Sequence, residues 1–339
     1  MASTMKAWQY NAIEGAIEKS IHLTQNIPVP TKSSLSKDQI LVKVFSAALN
    51  PVDYKLPESP IASLMVKPPA IPGSDFCGQV VEVHDSNSAF KPGQLVFGAF
   101  GRTPRQGTLG QYTTISSSEC APLPTGVEVD DAAAIGIAAI TAYVSLPPHA
   151  VKPGAKVFIN GGSGGVGTWA IQFAKIRGAE VTTTCSTANV ELCKSLGAGK
   201  VLDYKKVDVL SELEKSGPVY DFFVDNAGSP AGLYDRSDKF IKKDGAFMQV
   251  ATEMNFRAVG TVAKRLILPR ALGGGPRKFH FVQVKCTRKD FEQIGTWIAE
   301  GKVRSVIDNV FEFEDVPVAF KKLREGRAKG KIVVHVAKE

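Results

Sequence analysis

A run of glycines constrains this chain more than any other feature. The apolar, β-type stretch Lys156–Asn160 enters Gly161-Gly162-Ser163-Gly164-Gly165-Val166-Gly167, and a helical pattern over 166–177 follows and ends before Gly178. The segment reads as strand, tight turn, helix. Gly162, Gly164 and Gly167 satisfy G-x-G-x-x-G in that context. The first glycine permits the turn, the second lets a pyrophosphate approach the backbone, and the third lets helix and strand pack closely. The orphan N–H groups and positive dipole end of the helix then suit a diphosphate. Gly162, Ser163, Gly164, Gly165, Val166 and Gly167 are therefore predicted to bind a dinucleotide, against the alternative of a purely structural turn.

The texture on either side agrees. Strands are predicted at 180–184, 200–203, 222–225 and 245–251 with helical segments between them, an alternation that implies a parallel, doubly wound sheet. Before it, 40–45, 78–83, 94–98 and 111–115 read as short strands separated by turn signals, and 130–145 reads as one helix with Asp130 or Asp131 as N-cap. A helix over 290–302, a β-prone 306–311, a helical 316–325 and a strand over 331–336 close the chain.

Composition narrows the class. With 44% hydrophobic and 22% charged residues in 339, the chain has ample material for a core, and disorder is excluded. No apolar run approaches the ~18 residues of a membrane span, and residues 1–11 lack the pattern of a secretory signal. A cytoplasmic protein is the expectation. Five dispersed cysteines suggest neither a disulfide scaffold nor a metal cluster. The net charge of +8 is local: residues 254–289 hold nine Lys or Arg and no Asp or Glu, leaving the remainder at −1. No sequence-specific nucleic-acid binding is expected. The basic segment interleaves apolar residues with Lys264, Arg265 and Arg270; it reads as solvated surface, as substrate-facing charge, or as a site of weak, salt-sensitive contact with anionic membranes, and Pro269 and Gly273–Pro276 argue against a long continuous membrane helix there.

The cofactor follows from the end of the second predicted strand, where NAD-selective folds place a carboxylate on the ribose 2′-hydroxyl. Here the chain reads Thr184-Cys185-Ser186-Thr187, with no acid until Glu191. A 2′-phosphate would meet hydroxyls, which favours NADPH; a neutral loop tolerant of both cofactors is the alternative.

An ordered set of motifs extends over nearly the whole chain: Met5-Lys6-Ala7, Asn50-Pro51-Val52-Asp53, Pro72-Gly73-Ser74-Asp75 before Gly78, Lys91-Pro92-Gly93, Gly110-Gln111-Tyr112, the glycine cluster, Ser195-Leu196-Gly197-Ala198 before Val201-Leu202-Asp203-Tyr204, and Gly330-Lys331-Ile332-Val333. Together they resemble the medium-chain dehydrogenase/reductase superfamily, in its zinc-free quinone oxidoreductase and enoyl reductase branch. The resemblance implies an α/β chain with a GroES-like β-rich catalytic lobe, 1–128 with 290–339, and a Rossmann domain with a doubly wound parallel sheet, 129–289. It also suggests a homodimer. In zinc-dependent members a Cys stands at the place of Asn50 and a His-Glu pair at that of Ser74-Asp75, so no metal site is expected. His22, His84, His149, His280 and His335 are scattered and read as ordinary histidines.

Without a Lewis acid, the chemistry implied is hydride addition to an electron-poor carbon whose conjugated oxygen is held by hydrogen bonds. Asn50 matches the family's active-site asparagine, unless it is only a turn residue before Pro51. Lys55 stands where many relatives carry tyrosine and is similar to fungal trans-acting enoyl reductases and plant-type quinone reductase homologues. It would stabilise an enolate, anchor NADPH, or simply be solvated. Tyr54 would point elsewhere if the segment is extended. Thr141 matches a threonine beside the nicotinamide, with helix packing as its alternative. Ser186, Tyr204 and Arg327 are implied near the adenosine 2′-phosphate, although that loop lacks a clear basic match, Lys194 lying a helix later. Asn226, Gln249 and Val250 follow later strands and would line the nicotinamide pocket. The expected activity is NADPH-dependent reduction of quinones, enones or enals; the alternatives are a trans-acting enoyl reductase on carrier-bound thioesters and a low-activity NADPH-binding regulatory protein.

Overall fold

The computed structural model describes residues 3–60, 63, 66–86, 89–101, 105–147, 150–250, 256–268, 272 and 274–338. In chain order, β1 (Thr4–Gln9), α1 (Ile17–Ser20) and β2 (His22–Pro28) precede β3 (Gln39–Leu49), α2 (Pro51–Glu58), β4 (Asp75–Val83), β5 (Leu95–Ala99), β6 (Tyr112–Ser116), β7 (Cys120–Pro122), α3 (Val129–Ala133) and α4 (Gly136–Ser145). Then come β8 (Lys156–Asn160), α5 (Gly165–Ile176), β9 (Glu180–Cys185), α6 (Val190–Ser195), β10 (Lys200–Asp203), α7 (Val209–Ser216), β11 (Tyr220–Asp225), β12 (Ile241–Gln249), α8 (Phe256–Ile267) and β13 (Lys278–Phe281). The chain closes with α9 (Arg288–Ala299), β14 (Ile307–Glu312), α10 (Val316–Arg324) and β15 (Lys331–His335).

Two compact units result, Met1–Ile140 with Val284–Glu339, and Thr141–Gln283. The first division falls later than the 128/129 read from sequence because α3 packs on β3, β4 and β5 of the first unit. The second falls at 283/284 instead of 289/290.

In the first unit, the strands of the main sheet run β14-β15-β3-β4-β5-β7, with β6 also paired to β3. β15 is antiparallel to β3 at Ser46–Leu49 and parallel to β14, so a strand from the end of the chain lies inside the sheet. Alternating β-branched and aromatic residues bury one face: Val42, Val44, Phe76, Val96, Ile332 and Val334 belong to one core cluster. β1 and β2 form a separate antiparallel ribbon.

The second unit holds six parallel strands in the order β10-β9-β8-β11-β12-β13. The order reverses between β8 and β11, the place where doubly wound sheets open a crevice for ligands. Register aligns Phe158, Phe223, Phe247 and Phe279 across four neighbouring strands. Their rings stack in sequence at centroid spacings of 4.7, 4.9 and 6.3 Å, fixing the register as well as filling the face.

Three expectations need correction. The single helix over 130–145 is two, because Gly136 adopts φ +26° where the Asp75 carboxylate presses against it; a Cβ there would lie 1.9 Å from Asp75 Cγ. The N-cap of α3 is Glu128, so Asp130 and Asp131 occupy the first turn. The segment after Asn50 is helical, not extended: Pro51 stands at the start of α2, and the Asp53 carboxylate accepts the Asn50 N–H at 2.7 Å in a capping arrangement.

Of the basic segment, Met254, Pro269, Arg270 and Gly273 lie outside the described residues, as does His149. The described part forms α8, β13 and the start of α9. Val259, Leu266, Ile267 and Leu272 are exposed there, but Arg265 is no free surface cation. Its guanidinium donates to Gln249 Oε1 and Asp235 Oδ1 and lies 4.5 Å from the centre of the Tyr234 ring. No described helix is long and apolar enough to cross a membrane.

Candidate functional site

Strand ends at the carboxyl edge of the second unit's sheet are tied by a polar chain that the sequence reading did not single out. Thr184 Oγ1 accepts the Gly161 N–H at 2.8 Å and donates to Asn160 Oδ1 at 2.7 Å. Asn160 Nδ2 donates in turn to Asp225 Oδ1 at 2.8 Å, and the same oxygen accepts the Ala227 and Gly228 N–H groups. Burial raises the Asp225 pKa against these hydrogen bonds. The ends of β8, β9 and β11 are thereby fixed, and with them the glycine turn. The signal was available in principle, as a polar side chain at the end of each apolar strand.

Within the turn, the role assigned to the first glycine moves by one position. The left-handed residue is Gly161, at φ +78°. Gly162 instead allows close approach to β9, since a Cβ would sit 2.1 Å from Thr183 Oγ1. Gly167 lies against the turn, where a Cβ would be 2.1 Å from Gly161 O. A Cβ on Gly164 would meet nothing nearer than Gly161 O at 3.8 Å, so this N-cap residue leaves its surroundings open. Gly165, Val166 and Gly167 supply the first N–H groups of α5, which no preceding turn of helix can pair. Ser163 Oγ accepts from Asn189 Nδ2 at 3.0 Å, bracing the loop.

Further along the edge, both amide atoms of Asn226 are buried with no partner among the described residues. Such an orphaned amide is costly unless a ligand satisfies it. Gln249 is held by Arg265, and the Val250 N–H donates to Asp225 O at 3.0 Å. An open N-cap glycine, free helix N–H groups and an orphaned amide fit a nicotinamide dinucleotide.

The loop after β9 is less acid-free than its sequence implied. Parallel register sets Asp203 beside Cys185, and Thr187 Oγ1 donates to Asp203 Oδ2 at 2.6 Å. That hydroxyl, the Lys205 N–H and the ammonium groups of Lys206 and Lys205 hold the Asp203 carboxyl below its usual pKa. Tyr204 is half exposed, its N–H donates to Cys185 O, and Lys205 Nζ lies 5.6 Å from the centre of its ring. The structure thus supplies a cation, Lys205, beside Tyr204, whose N–H is tied to the residue before Ser186. Lys194 is paired with Glu191.

In the first unit, Asn50, Asp53, Ser74, Asp75 and Lys331 form one buried cluster. Lys331 Nζ donates to Leu49 O at 2.9 Å, Asn50 Oδ1 at 2.6 Å and Asp75 Oδ2 at 3.0 Å. Ser74 Oγ donates to Asp53 Oδ1 at 2.7 Å, and Asp75 Oδ1 accepts the Ile137 N–H at 2.8 Å. Burial, reinforced by the nearby Asp75 charge, pushes the Asp53 carboxyl up to about 7. Asn50 is therefore both a helix cap and an anchored amide, so the turn-residue alternative does not exhaust its role. Lys55 is half-buried on α2 with no ion pair among the described residues; Tyr54 lies under Arg324, 4.5 Å from ring centre to guanidinium carbon. Thr141 is buried on α4, where its carbonyl accepts the Ser145 hydroxyl. Arg327 is exposed between α10 and β15 of the first unit.

These positions are matched by two family profiles, an alcohol dehydrogenase GroES-like domain over residues 36–152 and a zinc-binding dehydrogenase over 196–334. The donor set here does not fit zinc: an amide oxygen and a carboxylate already bound to an ammonium, and a hydroxyl, replace thiolate and imidazole. The trans-enoyl reductase pgmF of Aspergillus terreus is 44% identical over 98% of this chain and 97% of its own length. An NADPH-dependent alkenal/one oxidoreductase of Arabidopsis thaliana is 32% identical over 98% of this chain and 79% of its own length. The solved quinone oxidoreductase of Coxiella burnetii superposes with a TM-score of 0.84 at 29% identity, over 99% of this chain and all of that one. With its GroES-like first unit and Rossmann second unit, the chain is an oxidoreductase that belongs to the medium-chain dehydrogenase/reductase superfamily, in the quinone oxidoreductase and enoyl reductase branch.

Proposed function

We propose that this chain is an NADPH-dependent reductase of activated carbon–carbon double bonds, including those of quinones, enones and enals, acting without a metal. The observation that carries the reading is the cradle at α5: an open Gly164, three free N–H groups and the orphaned Asn226 amide, which a dinucleotide would satisfy together. The bound nicotinamide would supply a hydride. Ser186, Tyr204 and Lys205 would hold the 2′-phosphate, with Arg327 as a further candidate from the first unit. Asn50 would donate its amide N–H to the substrate carbonyl oxygen or the nicotinamide ribose, and Lys55 and Thr141 are proposed beside them.

The relative named a trans-enoyl reductase favours a second reading, turnover of carrier-bound enoyl thioesters. NADPH and NADH oxidation measured across quinones, enones, enals and an enoyl thioester, with and without exhaustive chelation, tests both. Metal-independent turnover with NADPH supports the proposal, and the preferred acceptor separates the two readings. Loss of activity on chelation that zinc restores would overturn the metal-free mechanism.

A further inference from the structure

An ammonium nitrogen carries three N–H bonds, and Lys331 spends them on Leu49 O, Asn50 Oδ1 and Asp75 Oδ2. The side chain is 3% exposed and that of its counter-ion Asp75 fully buried. Asp75 cannot drift, because its other oxygen accepts the Ile137 N–H. The ammonium is therefore held at a fixed point by a carboxylate and a main-chain carbonyl, and its third N–H meets the Asn50 amide.

This contact decides which way the Asn50 amide faces. Turning it by half a rotation would bring an NH2 group against an ammonium, donor against donor, among side chains that are all buried. Oδ1 is thus committed to Lys331 and Nδ2 points away from it. Of the two N–H bonds on Nδ2, one reaches Ala48 O at a long 3.4 Å; the other has no acceptor among the described residues. The amide is left as a donor with spare capacity, polarised by a positive charge on its oxygen.

We propose that Lys331 is a positioning residue that locks Asn50 into this donor orientation, so that the spare N–H meets the carbonyl oxygen of the substrate or a hydroxyl of the nicotinamide ribose. The proposal rests on the reading that Asn50 touches substrate or cofactor. It assigns to the chain's own lysine the placing of a donor at positions where zinc-dependent relatives place metal ligands.

A double-mutant cycle tests it. Lys331→Met combined with Asp75→Asn removes the ammonium without stranding a buried carboxylate, and Asn50→Ala removes the amide. Each is expected to lower kcat at least tenfold, and any loss of NADPH affinity, measured by fluorescence titration, should be the same in both. In the Asn50→Ala background the paired substitution should lower kcat by no further than about twofold. Equal losses in both backgrounds would show that Lys331 acts independently of Asn50 and overturn the proposal. Should the paired variant not fold, Asn50→Asp keeps a partner for Lys331 but offers only acceptors; it is expected to lose activity at least a hundredfold, and retained activity overturns the proposal. Wild-type kcat in Asn50→Ala would also overturn it, while NADPH turnover by the unaltered chain would leave the reductase reading standing.

Discussion

Asp53 offers a quantitative check on the buried cluster. Its carboxyl rises from the usual 3.8 to about 7 because burial disfavours the charge, and Asp75 adds repulsion that the Ser74 hydroxyl, the Asn50 N–H and Lys331 only partly offset. The native state therefore binds this proton more tightly than the unfolded chain does. Its contribution to stability is fully present below about pH 4 and is lost as pH rises through about 7. Between pH 5 and pH 8 the single group should cost about 2.5 kcal/mol, from 1.36 kcal/mol per unit of pKa difference. Asp53→Asn keeps the shape: its amide oxygen accepts the Asn50 N–H while its NH2 turns to Ser74 Oγ. Urea unfolding of wild type and variant at several pH values isolates the term, because His335, whose pKa is raised by Asp130 and Glu312, contributes equally to both. Wild type should lose about 2.5 kcal/mol more than Asp53→Asn over that range. Parallel pH profiles would refute a buried, proton-binding Asp53.

Other expectations follow from the second unit. Gly164→Val fills the open face of the α5 cradle and should weaken NADPH binding far more than tenfold while circular dichroism stays native; near-normal affinity would remove the assigned motif. Lys205→Ala should erode the preference for NADPH over NADH, since a charge-assisted contact is worth roughly 1.5–3 kcal/mol, and leave the NADH dissociation constant nearly unchanged. Phe223→Ala opens the aromatic row at its centre and should destabilise the protein by about 3–5 kcal/mol, read from denaturant unfolding. Weak co-sedimentation with anionic vesicles at low salt should disappear in Arg257→Gln/Lys264→Gln; a wild type that stays in solution would make the segment around α8 surface charge alone.

The sequence disclosed what depends on local pattern. Alternating strands and helices, the turn before α5 and the motifs shared with relatives all survive in the structure, because periodicity and glycine positions are read along the chain. What escaped depends on pairing between distant residues. Asp203 reaches Thr187 only through parallel register, and the Thr184–Asn160–Asp225 chain needs three strands side by side. The break before Gly136 was hidden because the carboxylate that causes it comes from β4. Lys331 looked like one member of a terminal motif; only sheet pairing places it against residues 49, 50 and 75.

The place of β15 also sets a timetable for synthesis. Asn50 and Lys331 are 281 positions apart, which at roughly 5–20 residues per second is on the order of 15–60 s of translation. Early in that interval β4 and β6 emerge and become available to pair with β3, but the Ser46–Leu49 stretch on the β6 side has no native partner until β15 emerges. The Rossmann unit, a single continuous stretch, is complete well before then. A nascent chain would thus carry a finished nucleotide-binding unit and a sheet with an open edge, a template for wrong pairing, until β15 both closes that edge and delivers the lysine that orders Asn50.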